Sequence, residues 1–194
     1  MRKIYLDCGA NNLQGFKKIV SLGEVGLGWE IHAFEPNPES RETLETEAAS
    51  ISRLGFNISF HNVAVGDVDG EVGFSYSDSV DQWATTCSWH SQRNFSKNVS
   101  VPQIDLAKFI RDRFAKEDQI YLKLDIEGGE FRLLEYLMED GVFQWLDKLY
   151  VEWHVDNRWG HTFPCHLKPE QVQHYREVMH KVKTQGDVPV YDWD

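Results

Sequence analysis

The groups best suited to chemistry fall in a few short runs: Asp7-Cys8-Gly9-Ala10-Asn11, Glu35-Pro36, Asn62-Val63-Ala64 and Asp125-Ile126-Glu127, with Glu152 and His154 further on. A glycine such as Gly9 lets the backbone turn sharply and come close to a ligand. The carboxylate of Glu35 can accept two hydrogen bonds from ribose hydroxyls, as the acid ending a second strand does in dinucleotide folds. Asp125, Glu127 and His154 can exchange a proton during catalysis. Structural accounts stand beside these. Lys123 and Asp125 share a strand face and could form a buried ion pair. Glu130 suits the dipole of the helix that follows it.

The elements that must carry these groups alternate strand and helix, which implies a parallel sheet with helices on both faces. Strands are expected at Lys3–Asp7, Glu30–Glu35, Ile58–Val65, Gln119–Asp125 and Lys148–Val155, with a short one at Val188–Trp193. Gly70–Tyr76 reads as an extra antiparallel strand after the Asp69-Gly70 turn. Helices are expected near Gly15–Leu22, Pro38–Leu54, Ile104–Phe114, Gly129–Glu139 and Pro169–Gly186. In the last helix, Val172, Tyr175, Met179 and Val182 form the apolar stripe. Ligands of such sheets bind beyond the carboxyl ends of the strands, and every run named above ends a strand. The whole chain, 1–194, reads as one α/β domain of the Rossmann-like class. A long polar and aromatic stretch over 77–98, with Trp83, Trp89 and Phe95, reads as a mobile lid. A second aromatic loop holds Trp159, His161, Phe163 and His166.

The formal net charge of -11 argues against a nucleic acid or an anionic membrane as partner. No apolar run is long enough to span a bilayer. Three cysteines, Cys8, Cys87 and Cys165, without a signal peptide read as reduced thiols of a cytoplasmic protein. The charge leaves a small molecule as partner, an anionic one in a local basic pocket included.

The cofactor follows from what the glycine loop lacks. A pyrophosphate needs the G-x-G-x-x-G cradle, whereas this chain offers only Gly9 and Gly15. That moves the expectation from a nicotinamide dinucleotide, and hence an oxidoreductase, toward S-adenosylmethionine, which has no phosphate. A non-catalytic binding module is the other rival; it predicts that Asp125, Glu127 and His154 do not share a pocket.

Four segments then resemble the motifs of FkbM-like methyltransferases, in family order: Leu6-Asp7-Cys8-Gly9-Ala10-Asn11, Phe34-Glu35-Pro36-Asn37-Pro38, Asn62-Val63-Ala64-Val65-Gly66-Asp67 and Leu122-Lys123-Leu124-Asp125-Ile126-Glu127-Gly128-Gly129-Glu130. Val101 to Phe109, with a helix start at Leu106, also fits the family pattern, and the resemblance runs from about Ile4 to His154. It implies a class I methyltransferase fold, S-adenosylmethionine as cofactor, and O-methylation of a hydroxyl on a sugar or other small molecule. By the same resemblance, Asp7, Gly9, Ala10 and Asn11 surround the amino-acid end of the cofactor. Glu35, beside Pro36, holds the ribose. Asn62, Val63 and Ala64 lie by the adenine, and Asp125 and Glu127 line the transfer site. The chain departs from the family at Cys8 and in a short C-terminal part, with room for at most one strand after the fifth. No metal is expected, although Asp125, Glu127, Glu152 and His154 could together hold a hard divalent cation.

Overall fold

Alternation along the first strand sets up two cores. The computed structural model describes residues 1–77, 84–86, 96–154, 168–184 and 187–193. In strand β1 (Lys3–Cys8), Ile4, Leu6 and Cys8 face one apolar cluster and Tyr5 the other. Successive side chains of a strand point to opposite faces, so one strand can serve both. On one face lie α3 (Leu106–Arg113), α4 (Glu130–Asp140) and α5 (Pro169–Thr184), which bury Ile110, Phe131 and Val182. On the other lie α1 (Gln14–Ser21) and α2 (Arg41–Arg53), which bury Phe16, Ile19 and Leu44. Each such side chain contributes roughly 1.5–3 kcal/mol on leaving water.

The central sheet has six parallel strands. With β2 (Glu30–Phe34), β3 (Asn57–His61), β8 (Gln119–Leu124), β9 (Leu146–Val151) and β10 (Val190–Asp192), its order is β10-β9-β8-β1-β2-β3. The expected doubly covered α/β sheet is therefore present. The short C-terminal strand is present too, parallel to β9. The site-bearing strands β1, β2 and β8 are adjacent, and Asp7 pairs in register with Lys123.

A second sheet of four strands, β4 (Ala64–Gly66), β7 (Lys97–Asp105), β5 (Gly70–Tyr76) and β6 (Ala84–Thr85), leans over the carboxyl ends. Two expectations change here. The single strand Ile58–Val65 is two strands in two sheets. Its break falls at Asn62, whose side-chain amide donates to the carbonyls of Glu35 (2.7 Å) and Asn37 (3.3 Å). The helix that the apolar pattern begins near Ile104 starts at Leu106, where the family resemblance places it, capped by Asp105 accepting from the Lys108 amide. What precedes it is the nine-residue strand β7, antiparallel to β5. Pro102 and its mixed polarity hid that strand, because Pro can sit at a position that gives no ladder hydrogen bond. In α5 the buried residue is Val178 rather than Met179, so the stripe is Tyr175, Val178 and Val182. Of the lid expected over 77–98, Ser77, Thr86 and Ser96 are described, Ala84 and Thr85 form β6, and Lys97 and Asn98 belong to β7. Trp83, Trp89 and Phe95, and the second aromatic loop with Trp159, His161, Phe163 and His166, lie outside the described residues.

Candidate active site

Beyond the carboxyl ends of β1, β2 and β8 is a cleft of about 350 Å³, within the range of small-molecule sites. The turn after β1 supplies Gly9, Asn11 and Asn12, and the segment after β2 supplies Glu35, Pro36 and Asn37. Val63, Ala64, Tyr76 and Thr85 close the side formed by the second sheet. Asp125 and Glu127, just past β8, complete the wall.

Glu35 is almost fully buried, yet it borders this cleft. Its two carboxylate oxygens accept from the backbone amides of Asn11 and Asn37, each at 2.9 Å. Burial raises its pKa above the usual carboxylate value, and those two amides pull the other way. The carboxylate thus ties the first turn to the second and retains lone pairs for a ligand hydroxyl.

Three residues expected around the ligand do not line the cleft. Asp7 is fully buried beside Lys123, with Nζ to Oδ1 at 3.2 Å. Ala10 packs in the α1-side core. Asn62 is spent on the carbonyls of Glu35 and Asn37. Asp7 shares the face of Tyr5, which β1 turns to the α1-side core, whereas Ala10 and Asn62 lie past the strand ends, where packing and the two carbonyls hold them. The structural account of Lys123 also holds. Burial disfavours its charge, but Asp7 and Asp125, both at 3.2 Å, outweigh this and keep its pKa above the ordinary lysine value. Its ammonium further donates to the Gly9 carbonyl at 2.7 Å, so one cation ties the floor of the cleft to its wall.

The acidic corner gathers around His154, which is 3% exposed. Its Nε2 is 3.6 Å from Glu127, 3.8 Å from Glu152 and 3.9 Å from Asp125. Burial opposes the imidazolium, but Glu130, then Glu127 and Asp125, lift its pKa to about 10. Burial, with the charges of Asp125, Glu130 and Glu152, raises Glu127 to about 8 against the pull of His154. Burial and Asp125 raise Glu152 to about 7. Donor atoms of Asp125, Glu127 and His154 lie within 4.8 Å of one another, so this corner has the ligand types and spacing that could hold a divalent cation. The three residues converge, contrary to what a binding module without chemistry predicts, although His154 sits behind the two carboxylates and not in the cleft wall.

The family model described as the Methyltransferase FkbM domain matches residues 7–184. The chain belongs to the FkbM methyltransferase family. A solved structure titled Methyltransferase FkbM, from Methylobacillus flagellatus KT, is similar over 72% of this chain, with 16% sequence identity and a TM-score of 0.46. The chain spans 30% of that protein's length. No curated protein matches significantly.

In this member of the FkbM family the cleft also includes Asn12, Glu39, Tyr76 and Thr85, which the motifs do not mark. Asn12 continues the first turn and was within reach of the motif. Tyr76 and Thr85 come from the second sheet, and their contact with the strand ends has no local signal. Thr85 is buried, and its hydroxyl donates to the Glu127 carbonyl at 2.8 Å.

Proposed function

We propose that the protein is an S-adenosylmethionine-dependent O-methyltransferase acting on a hydroxyl of a small-molecule acceptor, a sugar among the candidates. The observation that carries this is the pairing of two unlike carboxylate sites across one cleft. Glu35 is anchored by amides on the first two turns, and Asp125 with Glu127 stands on the third. The turn at Gly9 and Asn11, with no pyrophosphate cradle, fits a nucleoside ligand without phosphate. Bound S-adenosylmethionine would supply an electrophilic methyl group. Gly9, Asn11 and Asn12 would hold its amino-acid end, Glu35 the ribose, and Pro36, Val63 and Ala64 the adenine side.

Glu127 is our choice for the proton acceptor. It lines the cleft and its pKa of about 8 lies near working pH, where a general base is most effective. His154 is protonated at neutral pH, so it serves as the cation beside Glu127 and not as the base. Glu127 would take the proton of the acceptor hydroxyl while that oxygen gains the methyl group, whose bond to the sulfonium sulfur breaks to leave S-adenosylhomocysteine. The formal charge of -11 supports a neutral or cationic acceptor. The buried free thiol of Cys8 suits a reducing, cytoplasmic setting. Among the described residues no helix is long and apolar enough to cross a membrane. Calorimetry with S-adenosylmethionine and S-adenosylhomocysteine tests the reading; folded protein that binds neither would overturn it.

A further inference from the structure

Glu127 holds a backbone conformation that residues with side chains rarely adopt, with φ at +54°. Its placement in the cleft therefore depends on whatever keeps that turn. The amides on either side of it reach a single carboxylate. Glu130 Oε1 accepts from the Ile126 amide at 2.8 Å, and Glu130 Oε2 accepts from the Gly128 amide at 3.0 Å. Glu130 is fully buried, so water does not replace these bonds. The same Oε1 also accepts from His154 Nδ1 at 2.9 Å. That bond sets the ring so that Nε2 faces Glu127, Asp125 and Glu152.

We propose that Glu130 is a positioning residue whose one carboxylate sets both the left-handed turn presenting Glu127 and the orientation of His154 beside it. The role rests on the reading of Glu127 as proton acceptor. It goes beyond a favourable charge at the start of α4, because a dipole interaction needs no directed bonds, whereas three N–H groups converge on this side chain. Only a carboxylate satisfies them. A carboxamide has one accepting oxygen. Glu130→Gln must therefore set its own N–H groups against the Gly128 amide, or against those of Ile126 and His154. By accepting from Nδ1–H of the imidazolium, Glu130 fixes the plane of the ring and leaves Nε2–H directed at Glu127.

The test is nuclear magnetic resonance on the whole chain carrying ¹⁵N-histidine, with the His154 signal assigned by its loss in His154→Gln. Wild type should show a protonated, hydrogen-bonded Nδ1 at His154. In Glu130→Gln that signature should shift. The Ile126 or Gly128 amide should exchange about tenfold faster, the ratio expected for one lost hydrogen bond of ordinary strength. Affinity for S-adenosylhomocysteine should stay within about twofold, since Gly9, Asn11 and Glu35 are untouched and no charged hydrogen bond to the ligand is removed. A folded Gln variant with unchanged His154 signature and amide exchange would overturn the proposal. If that variant does not fold, the wild-type signal decides: a hydrogen-bonded proton on Nδ1 supports the role and its absence refutes it. Wild-type protein that fails to bind S-adenosylhomocysteine would strike the methyl-transfer reading alone, leaving the His154 signature readable.

Discussion

Gly9 and Asp125 meet so closely that a Cβ on Gly9 would lie 1.7 Å from the Asp125 carbonyl oxygen. Gly9 is also left-handed, at φ +80°. The glycine therefore serves first to bring the tip of β1 against the tip of β8, and its closeness to a ligand is a second consequence. Gly9→Ala must part the two tips. We expect it to lose at least about 1–3 kcal/mol of stability, the strain of one forbidden backbone position. Urea unfolding would measure this, and an unchanged midpoint would contradict the contact.

Glu35→Gln should weaken S-adenosylhomocysteine binding. The variant turns an N–H donor toward the amide of Asn11 or Asn37, each of which now donates to a carboxylate oxygen. A charged hydrogen bond is worth about 1.5–3 kcal/mol, so titration calorimetry should show a loss of roughly ten- to a hundredfold. Equal affinity in the two proteins would remove Glu35 from the ligand site.

Glu127 must be ionised to accept a proton. With its pKa at about 8, methyl transfer to any acceptor that turns over should rise with pH and level off above that value. Glu127→Gln should abolish this limb and slow transfer by about 10²–10⁴-fold, the usual worth of a general base. Cofactor affinity should persist. A pH-independent rate in wild type would assign the proton elsewhere.

The acidic corner also makes stability depend on pH. His154 rises from 6.5 to about 10 on folding, so the folded chain holds that proton more tightly than the unfolded one. The resulting stabilisation is complete below about pH 6.5 and is lost as pH rises through about 10. Glu127 and Glu152, raised from 4.5 to about 8 and about 7, act in the same direction. The urea midpoint should fall between pH 6.5 and 10, and His154→Gln should flatten that decline. A wild-type midpoint that climbs over this range would reverse the assignment.

Lys123→Met should be among the most damaging single changes. It leaves the fully buried Asp7 without its cation, and breaking a buried pair from one side costs about 3–5 kcal/mol. Denaturation of Lys123→Met beside Lys123→Met/Asp7→Leu checks this. The double variant should recover stability, and no recovery would mean the pair is not the cause.

Much of this molecule is written locally. Alternating strands and helices with glycine stops dictated the parallel sheet, because apolar period reports directly which face an element buries. The convergence of Gly9, Glu35, Asp125 and Glu127 on one rim followed from their places at strand ends, since parallel strands put those ends on the same edge. Tertiary structure decided what distance along the chain conceals. It turned Asp7 and Ala10 inward, broke the third strand at Asn62, and brought Tyr76 and Thr85 over the cleft from a second sheet. It also made Glu130, which reads as an ordinary first-turn acid, the buried partner of His154 twenty-four positions away. Hydrogen bonds and close approaches of this kind depend on how elements stack, and no run of neighbouring residues encodes that.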